Sequence, residues 1–112
     1  MSAPTHPDAS AAPAALDHLD PLLQHRTRLG TLVLLSNADA ITFSRLRDLL
    51  QETDGNLGAQ LHKLEDARYI AVKKEFIDRK PVTWQSLTPL GRRALKAHLQ
   101  ALDALVRSVH LK

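Results

Sequence analysis

The fold of this chain is decided by residues 53–87, which read TDGNLGAQLHKLEDARYIAVKKEFIDRKPVTWQSL. The first part of the stretch has leucines at the i, i+4 and i+7 spacing of a helical core stripe, namely Leu57, Leu61 and Leu64. This spacing predicts a helix over about 54–67, one face of which packs against the rest of the protein.

A β-hairpin is predicted directly after this helix. Residues 69–76 and 82–87 are rich in β-branched and aromatic side chains, which is typical of strands. The residues between them, 77–81, form a polar turn that carries Arg79 and Lys80. The stretch therefore predicts a helix followed by a hairpin with a basic tip.

Further helices are predicted on both sides of this stretch. A nearly all-apolar run at about 26–37 indicates a central, buried helix, and a Thr-capped helix is predicted at about 43–51. Thr88 followed by Pro89 begins a long last helix at about 89–110. Two helices joined by a short turn and followed by a basic hairpin have the layout of a winged helix-turn-helix. The predicted fold class is mainly α with a small β-hairpin (α+β), a winged helix-turn-helix with a long C-terminal dimerisation helix.

Length and composition indicate one domain. The chain has 112 residues, of which 44% are hydrophobic and 24% charged, as in ordinary globular proteins. Residues 1–15 are mostly Ala, Pro and Ser and are expected to form a flexible tail, with the domain at 16–112. The alternative is a tail that packs on a partner subunit. No apolar run approaches the roughly 18 residues of a membrane span and the N-terminus has no signal-peptide pattern, so we expect a cytoplasmic protein without a membrane partner.

Charge is distributed unevenly along the chain. Residues 1–67 carry 5 Lys or Arg and 9 Asp or Glu, a balance of −4. Residues 68–112 carry 10 Lys or Arg and 3 Asp or Glu, a balance of +7, which brings the net charge to +3. A concentration of basic residues favours a polyanionic partner, above all nucleic acid. The alternative is a basic face that is only solvated surface.

The helix predicted over about 54–67 carries the candidate residues for reading double-stranded DNA. In a helix-turn-helix the exposed residues of the second helix face the major groove, where Asn, Gln and Lys can hydrogen-bond to base edges. These candidates are Asn56, Ala59, Gln60, His62 and Lys63. Contacts with the DNA backbone or minor groove are expected from the hairpin and an earlier helix, at Lys73, Lys74, Arg79, Lys80 and Arg45. Taken singly, each of these residues is more often an ordinary solvent-exposed side chain.

The last helix predicts a homodimer. Its apolar side chains cover an arc of about 200° by helical geometry, whereas contact with one core needs about 100°. The excess predicts a two-fold interface with a second copy, formed by Leu95, His98, Leu99, Leu102, Val106 and Val109. We expect His98 to be hydrogen-bonded within the packed interface, and the alternatives are a metal ligand or a pH-sensitive group.

A family resemblance is carried by the stretches TDGNLGAQLHKLEDARYI and KKEFIDRKPVTWQSLTPLGRRAL. They resemble the small winged-helix transcriptional regulators of the ArsR and MarR type, and the resemblance covers about residues 16–110. It implies a winged-helix fold and DNA binding, and its matching positions are Asp54, Gly55, Asn56, Leu57, Leu61, Leu64, Glu65, Thr88, Gly91, Arg92 and Leu95. The chain departs from the pattern at Gly58 and Gln60, where Ser and His are common, so the DNA contacts are expected to differ. Arg68 stands where glycine usually closes the helix in the left-handed conformation, which predicts a different helix end.

No catalytic, cofactor or metal site is predicted. The chain has no cysteine, its histidines lack a repeated metal-ligand spacing, and it has no phosphate-binding glycine loop. In the metal-sensing regulators of the resembled type an Asp precedes the first His ligand by two residues, and here Lys96 takes that place before His98.

The predicted function is that of a sequence-specific, double-stranded DNA-binding regulator, a homodimeric repressor and not an enzyme. The alternatives are a winged-helix protein-interaction module without a specific DNA target, and a non-specific DNA binder. The last is disfavoured by the moderate net charge of +3. Whether a small-molecule effector binds stays open.

Overall fold

The computed structural model describes residues 12–109. Within them the chain forms five α-helices and a three-stranded antiparallel sheet, which is the mainly α class with a small sheet predicted from the sequence. The elements in chain order are α1 (Ala12–Asp17), α2 (Arg26–Leu35), β1 (Ile41–Thr42), α3 (Phe43–Leu50), α4 (Asp54–Asp66), β2 (Ile70–Ile77), β3 (Lys80–Leu87) and α5 (Pro89–Ser108). A short 3-10 helix at Pro21–Leu23 precedes α2. None of the helices in this part of the chain is long and apolar enough to span a membrane.

Threonine side chains start three of the helices. Thr42, Thr53 and Thr88 each accept a hydrogen bond from the backbone N–H three residues later, at 3.2, 3.1 and 2.9 Å. Each bond satisfies one of the N–H groups that a helix leaves free in its first turn. The starting points of these three helices are therefore determined by the local sequence.

Leucines from every layer meet in one core around α2. This helix contacts α3, α4, α5 and β3, in agreement with the central position predicted for it. The leucines with no exposed surface are Leu23, Leu32, Leu35, Leu46, Leu57 and Leu64. Because α3 and α4 both pack on α2, their opposite faces are left at the surface.

The hairpin of β2 and β3 ends in a tighter turn than the five-residue turn predicted at 77–81. Ile77 pairs with Lys80, so only Asp78 and Arg79 lie in the turn. Both have positive φ, 51° and 67°, as a type I′ turn requires. The prediction was too long because the sequence signal for this turn is Asn-Gly or Asp-Gly, and Asp-Arg lacks the glycine.

A short strand, β1, was missed by the sequence analysis. Ile41 pairs with Gln85 and Thr42 with Trp84, which places β3 in the middle of the sheet. A two-residue strand has no periodicity of its own, so only its tertiary pairing identifies it.

Two further expectations about local structure are corrected. Residues 12–15 are predicted from the sequence to be the end of a flexible tail, but they belong to the helix α1. This helix packs on α5, and its Ala15 is only 5% exposed. The rest of the predicted tail lies outside the described residues. The end of α4 keeps the usual geometry despite Arg68, which has a φ of 63°. Tyr69 N–H donates to the Leu64 carbonyl at 3.0 Å and Arg68 N–H to that of Glu65 at 2.9 Å. These are the two bonds of a Schellman motif, formed here around an arginine instead of glycine.

Candidate nucleic-acid interface

The helices α3 and α4 form a helix-turn-helix. Gln51 ends α3 in the left-handed conformation with a φ of 54°, and α4 starts at Asp54 after Thr53. A salt bridge of 3.0 Å between Arg47 Nη1 and Asp54 Oδ1 joins the two helices across the turn. The angle between them is therefore held by the buried leucines on one side and by this ion pair at the surface.

Four of the five candidate base-reading residues lie on the exposed face of α4. They are Asn56, Ala59, His62 and Lys63. The imidazole of His62 lies 3.3 Å from the carboxylate of Asp66, one turn later on the same helix. This face presents amide, imidazole and ammonium groups within two to three helical turns, the set that can donate to base edges and phosphates.

Gln60 does not belong to this face, and its assignment as a base-reading residue is corrected. Gln60 is only 8% exposed, and its side-chain carbonyl accepts a hydrogen bond from Arg28 Nη1 on α2. Arg28 in turn donates from Nε to the Leu22 carbonyl at 2.6 Å. A helical wheel puts Gln60 beside the core stripe, but only the tertiary structure supplies the arginine that covers it.

A polar network under the exposed face holds α4 to α2, and its central residue, Glu52, is not among the residues predicted from the sequence. One carboxylate oxygen of Glu52 accepts from Thr27 Oγ1 at 2.7 Å and from Arg26 Nη1 at 3.2 Å, and the other accepts from Asn56 Nδ2. The hydrogen bonds from Asn56 and Thr27 lower the pKa of Glu52. The network orients the Asn56 amide at the start of α4. No sequence pattern reveals it, because Arg26 and Thr27 lie 26 and 25 residues before Glu52.

The hairpin exposes four of the predicted backbone-contacting cations. Lys73, Lys74, Arg79 and Lys80 are all exposed on β2, β3 and the turn between them. Glu75 on the same hairpin accepts a hydrogen bond from Trp84 Nε1 at 2.7 Å. The fifth predicted residue, Arg45, is exposed on α3, the first helix of the helix-turn-helix. We call the hairpin of β2 and β3 the wing.

The predicted dimer interface divides into two groups. Leu99, Val106 and Val109 are exposed by 42, 70 and 47%, and Leu102 is half-buried. Leu95 and His98 are 5 and 2% exposed because they pack inside their own protomer, so their assignment to the interface is corrected.

His98 connects α5 by a hydrogen bond to the segment between α1 and α2. Its Nδ1 accepts a hydrogen bond from the Asp20 backbone N–H at 2.9 Å, and the Asp20 carboxylate accepts one from Tyr69 Oη at 2.5 Å. His98 is thus hydrogen-bonded in a packed site, as expected, but within one protomer. Within residues 12–109 no group of three or more His, Cys, Asp or Glu side chains is arranged to hold a metal ion.

Comparisons with known proteins agree with this geometry. The family model of the winged helix DNA-binding domain matches residues 27–106. An uncharacterised protein of Methanocaldococcus jannaschii is 32% identical over 82 residues, which cover 73% of this chain and 89% of that protein. A transcriptional regulator homologue from Pyrococcus horikoshii OT3 has a similar structure, with a TM-score of 0.80 and 27% identity over 88% of this chain and 99% of that one. AbsC, a MarR family transcriptional regulator from Streptomyces coelicolor, matches with a TM-score of 0.65 and 20% identity over 88% of this chain and 68% of its own.

Fold, exposed helix and basic wing together define a DNA-binding protein of the winged-helix class. The chain belongs to the family of winged helix DNA-binding domains. This is a family of DNA-binding domains and not of enzymes, and the similar structure from Pyrococcus horikoshii OT3 is that of a transcriptional regulator homologue. The predicted fold class, the resemblance to winged-helix regulators and the DNA-binding function class are thereby confirmed.

Proposed function

We propose that the protein is a homodimeric repressor that reads a specific double-stranded DNA site in the major groove with α4. The observation that carries the proposal is the exposed polar face of α4, which is followed along the chain by a hairpin with four exposed cations. In this proposal Lys63 and Asn56 contact base edges, and the wing contacts the backbone or minor groove. A bound dimer acts as a repressor by covering promoter DNA.

The homodimer is supported by apolar side chains that are exposed at the first and last helices of the protomer. Leu99 and Val106 on α5 and Val109 directly after it lie exposed, and Leu16 on the adjoining α1 is 56% exposed. Apolar surface of this extent on a small domain usually marks an interface, and a two-fold contact with a second copy is the simplest one. Such a dimer presents two copies of α4 to half-sites about 34–36 Å apart.

The proposal is tested by selecting tight-binding duplexes from a random-sequence pool. The selected duplex and a scrambled copy are then titrated with the protein at about 150 mM salt, where screening weakens non-specific attraction. We expect enrichment of a two-fold symmetric motif and a preference of about a thousandfold or more over the scrambled copy. A pool that yields no motif would refute sequence-specific reading and favour a protein-interaction module.

A single pair of variants locates the reading face. Lys63→Ala is expected to cost about 1–3 kcal/mol on the selected duplex and to relax the preference at one base position. The matched control is Lys96→Ala, which removes a lysine that is also exposed, from α5. An unchanged base preference in Lys63→Ala, measured by a base-substitution series, would remove Lys63 from the reading face.

A further inference from the structure

Near its tip the wing exposes apolar side chains in addition to its cations. Phe76 is 77% exposed, the highest value among the large hydrophobic side chains of residues 12–109, and Ile77 beside it is 43% exposed. Pro81 across the hairpin from Phe76 is exposed as well. A phenyl ring exposed to water on a projecting hairpin gains little folding energy from burial, so the fold itself does not require it.

The strand register places this ring among cations. Lys74 lies two residues before Phe76, so both project from the same face of the hairpin. Arg79 in the turn and Lys80 at the start of β3 lie next to them along the hairpin. Within residues 12–109, no salt bridge engages Lys74, Arg79 or Lys80. Lys74 therefore shares the face of the ring, and two further cations without a salt bridge lie at the tip of the same hairpin.

This combination fits DNA better than a protein surface. Lysine is depleted at the core of protein–protein interfaces, whereas here lysines flank the apolar residue on the same hairpin. The minor groove is about 6 Å wide, and proteins that enter it insert single apolar side chains between or against base steps while cations hold the phosphates. A two-residue turn makes the tip of the hairpin short, so a single side chain near it can project beyond the backbone.

We propose that Phe76 lies in the minor groove of the bound duplex and makes an apolar contact with the sugars and base edges there. The inference rests on the proposed function, and it adds a contact that is not electrostatic to a wing whose other contacts are. Because no counterion is released when an apolar ring is buried, this contact adds affinity without adding salt dependence.

The test is a salt titration of binding to the selected duplex for the wild type, Phe76→Ala, Phe76→Leu and Lys80→Ala. Phe76→Ala should bind about tenfold more weakly with an unchanged slope of log affinity against log salt. Phe76→Leu keeps an apolar side chain and should recover most of the affinity. Lys80→Ala is the matched control, which should lower the slope by about one. Circular dichroism should show the same melting temperature for wild type and Phe76→Ala, because the ring is exposed in the free protein.

A modified duplex identifies the groove. Replacing adenines flanking the half-sites by 2,6-diaminopurine adds an amino group in the minor groove and leaves the adenine groups of the major groove in place. The substitution should weaken the wild type and leave Phe76→Ala almost unaffected, as a double-mutant cycle requires for a direct contact. Equal sensitivity of the two proteins would overturn the minor-groove assignment.

The remaining outcomes separate this inference from the proposed function. Equal affinity of wild type and Phe76→Ala for a duplex that the wild type discriminates would overturn the inference and leave the function standing. A pool selection without a motif refutes the function itself. A Phe76→Ala protein that sediments as a monomer would assign the ring to contact with a second copy, which also overturns the inference.

Discussion

Gly91 is the position at which one added methyl group tests the packing of α5 most directly. A Cβ there would lie 2.0 Å from the Tyr69 carbonyl oxygen, 2.8 Å from its carbon and 3.0 Å from Leu87 Cδ1. Real Cβ atoms essentially never come within 3.0 Å of such atoms, so the two backbones would have to separate by at least 1.0 Å (3.0 minus 2.0). The same carbonyl accepts the Thr88 N–H at 3.1 Å. Gly91→Ala therefore pushes the start of α5 away from the segment that links α4 to the wing.

The expected cost follows from three contributions. Overpacking against an element that cannot yield costs about 1–3 kcal/mol, and the weakened hydrogen bond to Tyr69 adds about 1 kcal/mol. Alanine is favoured over glycine in a helix by at most about 1 kcal/mol, which offsets part of the loss. We expect Gly91→Ala to lower the free energy of unfolding by about 2 kcal/mol. Gly58 on α4 is the control, because a Cβ there meets nothing within 4 Å. Gly58→Ala should raise the free energy of unfolding by up to about 1 kcal/mol.

The measurement is urea unfolding followed by far-UV circular dichroism. All proteins are compared at one protein concentration, because the stability of a dimer depends on it. Gly91→Ala should lower the midpoint and Gly58→Ala should raise it, both with an unchanged m value. If Gly91→Ala were as stable as the wild type while Gly58→Ala gained stability, the close approach of α5 to Tyr69 would be wrong.

Three other changes test separate contacts. Val106→Glu places a charge on a side chain that is 70% exposed in the protomer. It should dissociate the proposed dimer without loss of helix, and sedimentation velocity that still shows a dimer would move the interface elsewhere. Tyr69→Phe removes the hydrogen bond to Asp20 and should cost about 1 kcal/mol of unfolding free energy at neutral pH. Burial and that bond raise the pKa of Tyr69 from 10.0 to about 12, so the stability contributed by the Tyr69 hydroxyl is fully present below pH 10.0 and lost as the pH rises towards 12. Urea unfolding across this pH range should show the stabilities of the wild type and Tyr69→Phe converge. A constant difference between them would contradict the assignment. Arg79→Gly removes the backbone strain of a residue held at a φ of 67°, and should raise the free energy of unfolding by about 1 kcal/mol. The same substitution should weaken binding to every duplex alike and lower the slope of log affinity against log salt by about one. A loss of affinity confined to one sequence would indicate base reading by the wing.

Local patterns predict the elements that carry the candidate site, but they predict the environment of individual side chains less well. The leucine spacing of α4 orients that helix correctly, so Asn56 and Lys63 lie exposed as expected. Gln60 is buried because Arg28 of α2 reaches across it, and Glu52 joins α4 to α2 through residues about 25 positions earlier. Helical geometry gives the direction of a side chain from its own axis. It cannot give the identity of the side chain that another helix brings to the same place.

The same limit applies to the last helix. Its apolar arc is wider than one contact requires, and within the protomer α5 packs against both α1 and α2. The sequence does not say which part of the arc each surface covers. Leu95 and His98 turn out to pack within the protomer, and Val106 stays exposed. The division is decided by α1 and by the Asp20 backbone, which meets His98 from 78 residues away.

By itself, the sequence determined where the helices begin, which face of α4 meets the core and where the basic hairpin lies. These features follow from interactions between residues a few positions apart, such as threonine caps and helical spacing. Only the tertiary structure decided the pairing of β1 with β3, the polar network around Glu52 and the burial of Gln60 and His98. These depend on contacts between distant parts of the chain, which form only when hydrophobic packing has brought the elements together.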